Sequence, residues 1–216
     1  MVRRKEKIGL IEYVEKRHPH HNCNLTTKDR DLEEHIMKVA GTKGIMMTEM
    51  LHQKILNEDE IVSKISSFMD KKETHKVLYK MRDAKIANYL EEHIRIPGKN
   101  NPWVQYSWYL TLDEAIFEIY KKEKSILGDI HSTIEYHEMN EFYTCPGKCV
   151  KVTFDKAYSM GFQCPACEKP MIHADNSKSI KMLKEAESVQ KNRCNDIIKR
   201  CDICKARASA EMKPSK

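Results

Sequence analysis

The sequence predicts an α+β chain of small modules: an N-terminal domain of helices and a hairpin, a helical spacer, a small C-terminal cysteine module and a terminal helix. Three observations carry that expectation. Apolar residues recur at helical spacing in four successive stretches and then switch to a period of two. Four cysteines stand in two close pairs, Cys145/Cys149 and Cys164/Cys167. Charge is uneven along the 216 residues: residues 1–30 hold eight Lys/Arg against four Asp/Glu, 177–216 hold eleven against five, and 31–176 hold 19 against 23.

A hydrophobic fraction of 40% with 32% charged residues describes a soluble, rather polar chain. No apolar run approaches the roughly 18 residues a membrane helix needs, and residues 1–30 are too charged for a secretory signal. The expected location is the cytoplasm. In a reducing compartment, paired cysteines argue for thiolate metal ligation over a disulfide framework. A centre at −4 flanked by ends at +4 and +6 is not the profile of a free-standing duplex binder, which draws its affinity from neutralised phosphates. The centre is expected to dock, at least in part, on protein.

Residues 1–30 read as a basic extension and 31–111 as the first domain. Leu32, Ile36, Val39 and Ala40 fall on one helical stripe, and Gly41 stands where that helix would stop. A second stripe runs Met47, Met50, Leu51, Ile55; a third runs Ile61, Val62, Ile65, Phe68, Met69, behind an acidic run that suits a helix start. The fourth runs Val77, Leu78, Met81, Ala84. Leu90, Ile94 and Ile96 then alternate. After the turn-forming PGKNNP of 97–102, Val104, Tyr106, Trp108 and Leu110 take one face of a strand; Trp103, Gln105, Ser107 and Tyr109 take the other. Short helices followed by a long hairpin is the order of a winged-helix domain. Its fourth helix occupies the recognition position, with Lys72, Lys76 and Lys80 off the apolar stripe, and Trp103 beside Lys99 marks the wing. These five residues are the candidate contacts with nucleic acid or a protein groove. For Trp103 the alternative is simple packing against the first strand.

Thr111 and Glu114 have capping-box spacing, so a helical spacer over 112–140 starts at Leu112. Its seam is Ile116, Ile119, Tyr120, Leu127, Ile130 and Ile134, and Gly128 is a candidate break. The cysteine module spans 141–175. Two knuckles that each present two thiolates supply a tetrahedral site for one structural zinc ion, with Cys145, Cys149, Cys164 and Cys167 as ligands. A rubredoxin-like iron centre would use the same donors. Four thiolates leave no open position, which excludes catalytic zinc. Fourteen residues between the pairs allow a strand through Val150, Val152 and Phe154, and a strand returning over Tyr158 to Phe162. The first knuckle has three intervening residues, and Gly147 is expected to take the unusual backbone angles this demands. Residues 176–216 form a basic terminal helix and tail.

The order of parts resembles archaeal transcription factor E, the counterpart of the alpha subunit of general transcription factor IIE. The motifs are an aromatic pair before the first cysteine, an F-x-x-A segment between the knuckles, GFQCPAC closing the ribbon, and an Asp-Asn-Ser entry into the last helix. The likeness covers about residues 30–190. It implies a non-enzymatic basal initiation factor that binds the RNA polymerase clamp. It also implies contact with promoter DNA, above all the non-template strand of the bubble, and work beside TATA-binding protein and transcription factor B. Three features depart from the pattern: the longer first knuckle; the cluster His18, His20, His21 and Cys23, either a second metal site or a solvated arm; and Cys194, Cys201 and Cys204 on a seam with Ile180, Leu183 and Ile197. Burial as small hydrophobes accounts for that last group, with metal or redox chemistry as the alternative. A competing function is a gene-specific winged-helix regulator with a structural or sensing zinc site. No phosphate loop, nucleophile–base pair or acidic dyad is visible, so no enzyme is expected.

Overall fold

The computed structural model describes Leu25, residues 28–52, 54–94, 103–200 and Ala206. It divides into two compact units, one of residues up to Tyr120 together with Ile197 onward, the other Lys121–Asp196.

The first unit opens with α1, Arg30–Leu51, whose N-terminal amides of Asp31 and Leu32 donate to the Asp29 carboxylate. Gly41 interrupts the helix at φ 64°, ψ −160°, so the two sequence stripes are two helical arms of one element. The second arm ends at Leu51. Ile55 therefore leaves the expected stripe, and Leu56, its neighbour, is buried in β1, Leu56–Asn57. Asn57 then caps α2, Glu58–Ile65, in a reciprocal box with Glu60. Phe68 lies beyond that helix and is exposed, whereas Met69 is buried. Asp70 caps α3, Lys71–Asp83, through the Glu73 amide.

Strands β2, Ala87–Ile94, and β3, Trp103–Leu110, pair antiparallel from Ala87↔Leu110 to Ile94↔Trp103. β1 adds to the far edge of β3, giving the order β1-β3-β2. The first strand thus starts before Leu90; the turn residues 97–102 and Ile96 lie outside the described residues. Leu32, Ile36, Met47, Leu51, Ile61, Leu78, Met81, Ile86 and Trp108 fill the core. The Trp108 indole N–H donates to Glu58 Oε1 at 3.3 Å, which satisfies its buried polar atom.

Helix α4, Leu112–Met139, starts where the sequence placed it. The Thr111 hydroxyl donates to the Lys85 carbonyl at 2.9 Å. Gly128 does not break the helix, which runs unbroken for 28 residues, about 42 Å at ~1.5 Å per residue. Its first turns place Leu112, Ala115, Ile116, Ile119 and Tyr120 in the core of the first unit. At the other end of the chain, Ile197 is also buried there, and Arg200 binds the carboxylates of Asp29 and Asp31.

The second unit contains the rest of α4, a small sheet and most of α6, Ser177–Lys199. The ribbon strands are β4, Phe142–Thr144, β5, Lys151–Thr153, and β6, Ile172–Ala174, ordered β5-β4-β6 and all antiparallel. Between β5 and the second knuckle lies a short helix, α5, Phe154–Ser159. The expected returning strand over Tyr158 to Phe162 is therefore replaced by a helical turn that buries Ala157, and the third strand comes only after the second knuckle. α6 runs antiparallel to α4: Lys184 pairs with Glu138, His131 with Glu187, and Gln190 and Arg193 with Glu123. Asp175 accepts from the Ser177 amide, and Asn176 donates to the His137 carbonyl at 2.7 Å, which ties the helix entry down. Cys194 is buried on the α6 seam, as its reading as a small hydrophobe requires; Cys201, Cys204 and the His18–Cys23 cluster lie outside the described residues.

Among the described residues, no helix is long and apolar enough to cross a membrane.

Two outcomes follow from these elements. Gly41→Ala forces a side chain into a backbone region that only glycine tolerates and should destabilise by about 1–3 kcal/mol in thermal or urea unfolding. Gly128→Ala, in an open helix interior, should stabilise by about 0.5–1 kcal/mol. In the helix pair, the Glu187 carboxylate at 2.9 Å, then Glu135, raises the His131 pKa above its ordinary 6.5. The ion pairs are therefore fully present below that pH and are lost as pH rises through the folded value. The melting midpoint of the second unit should fall as pH rises from roughly 6.5, and His131→Gln should flatten that dependence.

Candidate metal centre

The first knuckle follows directly from β4. Thr144 ends the strand, Cys145 is wholly buried, and the Lys148 amide donates to the Cys145 carbonyl at 2.8 Å to close a turn. That turn brings the Cys149 amide to 3.2 Å from the Cys145 sulfur. Gly147 is not the residue that absorbs the extra length. Lys148 does so, at φ 55°, while a Cβ on Gly147 would meet the sulfurs of Cys149 and Cys145 at 3.4 and 3.7 Å. The expectation for Gly147 is corrected accordingly: the turn closes through the Lys148 amide, and the left-handed backbone falls on Lys148, between the two cysteines.

The second knuckle repeats the device. The Glu168 amide donates to the Cys164 carbonyl at 2.8 Å with Glu168 at φ 58°, and the Cys164 amide donates to the Lys169 carbonyl at 2.9 Å. Phe162, at φ 54°, and Gly161, at φ 62°, turn the chain from α5 into this knuckle.

These turns bring together all four cysteines predicted from the sequence. Their sulfurs lie within 4.8 Å of one another, with Cys145 and Cys167 3.9 Å apart. Tetrahedral zinc with Zn–S of about 2.3 Å needs sulfurs about 3.8 Å apart, so the donor set and spacing are compatible with zinc. Tetrahedral thiolates also suit iron. Cys145 and Cys164 are buried, Cys167 half-buried and Cys149 exposed. The donated Cys149 amide outweighs burial, which acts the other way, and holds the Cys145 thiol below its ordinary range. Cys149 is pushed well up, first by its sulfur contact with Cys145 and then by Cys167. The unfavourable step is to put negative charge on the second sulfur beside the first, and a dication removes that penalty. Tyr143, Val150, Val152, Met160 and Phe162 pack around the sulfurs.

The other candidates are not brought to this centre. Lys72, Lys76 and Lys80 are exposed along α3, and Trp103, the first residue of β3, is 58% exposed and stands opposite Ile94 in the register. Lys99 lies outside the described residues. Sequence reading missed a cluster beside those lysines: Tyr79, Tyr89 and Tyr106 around Trp108, with the Arg82 guanidinium 5.0 Å from the Tyr89 ring centre. The available signal was that Tyr106 and Trp108 share a strand face with period two, next to a helix carrying Tyr79.

Relatives of the chain are non-enzymatic transcription factors. A family model described as the TFIIE alpha subunit matches residues 30–139, which span α1 through α4. Transcription factor E of Methanosarcina acetivorans is 25% identical over 164 residues, 76% of this chain and 95% of the relative. That of Methanocaldococcus jannaschii is 31% identical over 144 residues, 66% and 80% of the two chains, and that of Methanococcus maripaludis strain C7 is 32% identical over 134 residues, 61% and 74%. The chain belongs to the TFIIE alpha subunit family. The metal centre lies beyond the residues which the family model matches.

One zinc or iron equivalent per chain is expected by elemental analysis, and Cys164→Ser, which removes a buried ligand, should abolish it. Gly147→Ala should retain the metal, because its Cβ makes only van der Waals contact.

Proposed function

We propose that this chain is a basal initiation factor that binds RNA polymerase at its clamp and stabilises the open promoter complex. In this reading the first unit is a winged helix, with α3 in the recognition position and β2–β3 as the wing, and the second unit carries a structural zinc ribbon. Family membership over residues 30–139 carries the reading. The charge distribution supports it: the interior, at 19 basic against 23 acidic residues, is poorly suited to duplex binding by phosphate neutralisation alone, so protein contacts localise the factor. TATA-binding protein and transcription factor B are its expected companions.

Zinc, held by Cys145, Cys149, Cys164 and Cys167, supplies rigidity and no open coordination position. The work of the factor is a shift of equilibrium. A factor that binds the open complex better than the closed one favours opening by the difference in affinity. A coupling of about 1–3 kcal/mol changes the ratio of open to closed promoter roughly 5- to 150-fold. Lys72, Lys76, Lys80, Lys99 and Trp103 are the residues proposed to touch polymerase or the separated non-template strand.

Permanganate reactivity of promoter thymines should rise severalfold when the factor joins polymerase on a weak promoter. No rise at saturating factor would refute this function.

A further inference from the structure

The four sulfurs of the metal centre are not equally protected. Cys145 and Cys164 are 0% and 1% exposed, Cys167 is half-buried, and Cys149 is exposed. The apolar cluster that holds Cys145, Cys164 and Cys167 among Tyr143, Met160 and Phe162 does not include Cys149. The cause lies in the sequence of the knuckles. Each has a proline after its first cysteine, but the next residue is Ala166 in the second knuckle and Gly147 in the first. A Cβ at Gly147 would meet the Cys149 sulfur at 3.4 Å and the Cys145 sulfur at 3.7 Å. Gly147 is not in left-handed backbone, so conformation does not demand glycine there. What the missing Cβ does is leave one side of both sulfurs bare.

Cys145 is placed to react with its neighbour. The Cys149 amide donates to the Cys145 sulfur at 3.2 Å, and the Lys148 amide closes the turn on the Cys145 carbonyl at 2.8 Å. Both sulfurs therefore belong to one turn of five residues. They lie within 4.8 Å of each other, and closing to a disulfide of about 2 Å asks only that this turn rearrange. Joining Cys149 to Cys167 would instead close a loop across positions 18 apart, at a greater entropic cost.

We propose that Cys149 is an oxidation site and that the first knuckle is a redox-labile clasp: a peroxide oxidises Cys149, Cys145 captures it as a disulfide, and the centre loses two of its four donors. Exposure and thiolate character decide which cysteine a peroxide attacks. The Cys149 thiolate attacks one peroxide oxygen. The S–O bond forms as the O–O bond breaks, the sulfur is oxidised to a sulfenic acid, and the departing hydroxide takes a proton and leaves as water. The Cys145 thiolate then attacks the Cys149 sulfur. The S–S bond forms as the S–O bond breaks, and the second hydroxide also takes a proton and leaves as water. In sum, two thiolates, one hydrogen peroxide and two protons give one disulfide and two waters. Cys164 and Cys167 alone do not complete a tetrahedral zinc site. A module whose buried residues are Cys145, Ala157, Cys164 and Met171 then loses its anchor. A thiol reductant reverses the sequence by exchange. The inference rests on zinc at this centre and on no contact with polymerase or nucleic acid.

The test is limiting hydrogen peroxide added to the zinc-loaded full chain, with released zinc read by a chromogenic chelator and the cysteines mapped by differential alkylation and peptide mass spectrometry. Cys149 should be the first of the four sulfurs oxidised, and a Cys145–Cys149 disulfide should accumulate. About one zinc should leave per disulfide, and a thiol reductant with added zinc should restore it. Gly147→Ala keeps all four ligands but covers the bare side of the sulfurs, so it should lose zinc severalfold more slowly. First oxidation at Cys164 or Cys167, an unchanged rate of zinc loss in Gly147→Ala, or a disulfide formed with zinc retained would overturn the proposal. Zinc missing before peroxide is added would overturn the metal centre as well, whereas zinc retained under excess peroxide removes the clasp and leaves the structural centre standing.

Discussion

Four sulfurs stand where the ribbon would otherwise need a core. The buried residues there are Cys145, Ala157, Cys164 and Met171, so half of the interior is ligand. A unit of this size buries too little apolar surface to fold alone, and four thiols at mutual contact resist ionising together. A bound dication would reverse the sign of that interaction, and the four sulfurs are placed to hold one. The other features of the ribbon serve the convergence. β4 and β5 deliver the first knuckle, α5 and Gly161 re-aim the chain, and β6 closes the sheet after the second knuckle. Lys148 and Glu168, both in left-handed backbone, do in each turn what glycine usually does. A Cβ at Gly147 would already touch two sulfurs, and that closeness, more than backbone freedom, is what sets the glycine apart.

The helix pair is held by a different logic. Along α6 the inward positions read Ile180, Leu183, Glu187, Gln190, Cys194, an apolar seam with polar residues in its middle. Gln190 donates to both the backbone and the carboxylate of Glu123, and Arg193 binds the same carboxylate at 3.0 Å. Such a layer adds less stability than leucines would, but it fits only one register, because any slip leaves a half-buried carboxylate without its donors.

Local signals in the sequence were strong enough to locate most elements. The helix start behind the acidic run before Ile61, the start at Leu112, the break at Gly41 and the hairpin from alternation are all short-range chemistry. The four cysteines were legible because their pairing leaves few other uses. What escaped was information carried by distance or by brevity. α5 is six residues long, too short to show a period, and it follows directly on the strand β5. The antiparallel pairing of α4 and α6 hides behind the polar residues Glu123 and Gln190, which interrupt both seams. The Arg200 contacts with Asp29 and Asp31 join positions about 170 residues apart, and no periodicity reports them. The tyrosine cluster was hidden for a related reason: its rings come from α3, β2 and β3, and each alone reads as an ordinary amphipathic position.

The two kinds of surface on the first unit bear on how an initiation factor without a catalytic group can act. Duplex DNA and a melted strand offer the same phosphates, so a purely cationic face would bind both and shift nothing between them, however tightly it held. Discrimination has to come from what only the open state exposes, which is the base faces. Aromatic side chains meet that requirement in general, whereas cationic groups alone do not. The interior of the chain carries acidic residues slightly in excess, a charge balance that gives duplex phosphates little to bind.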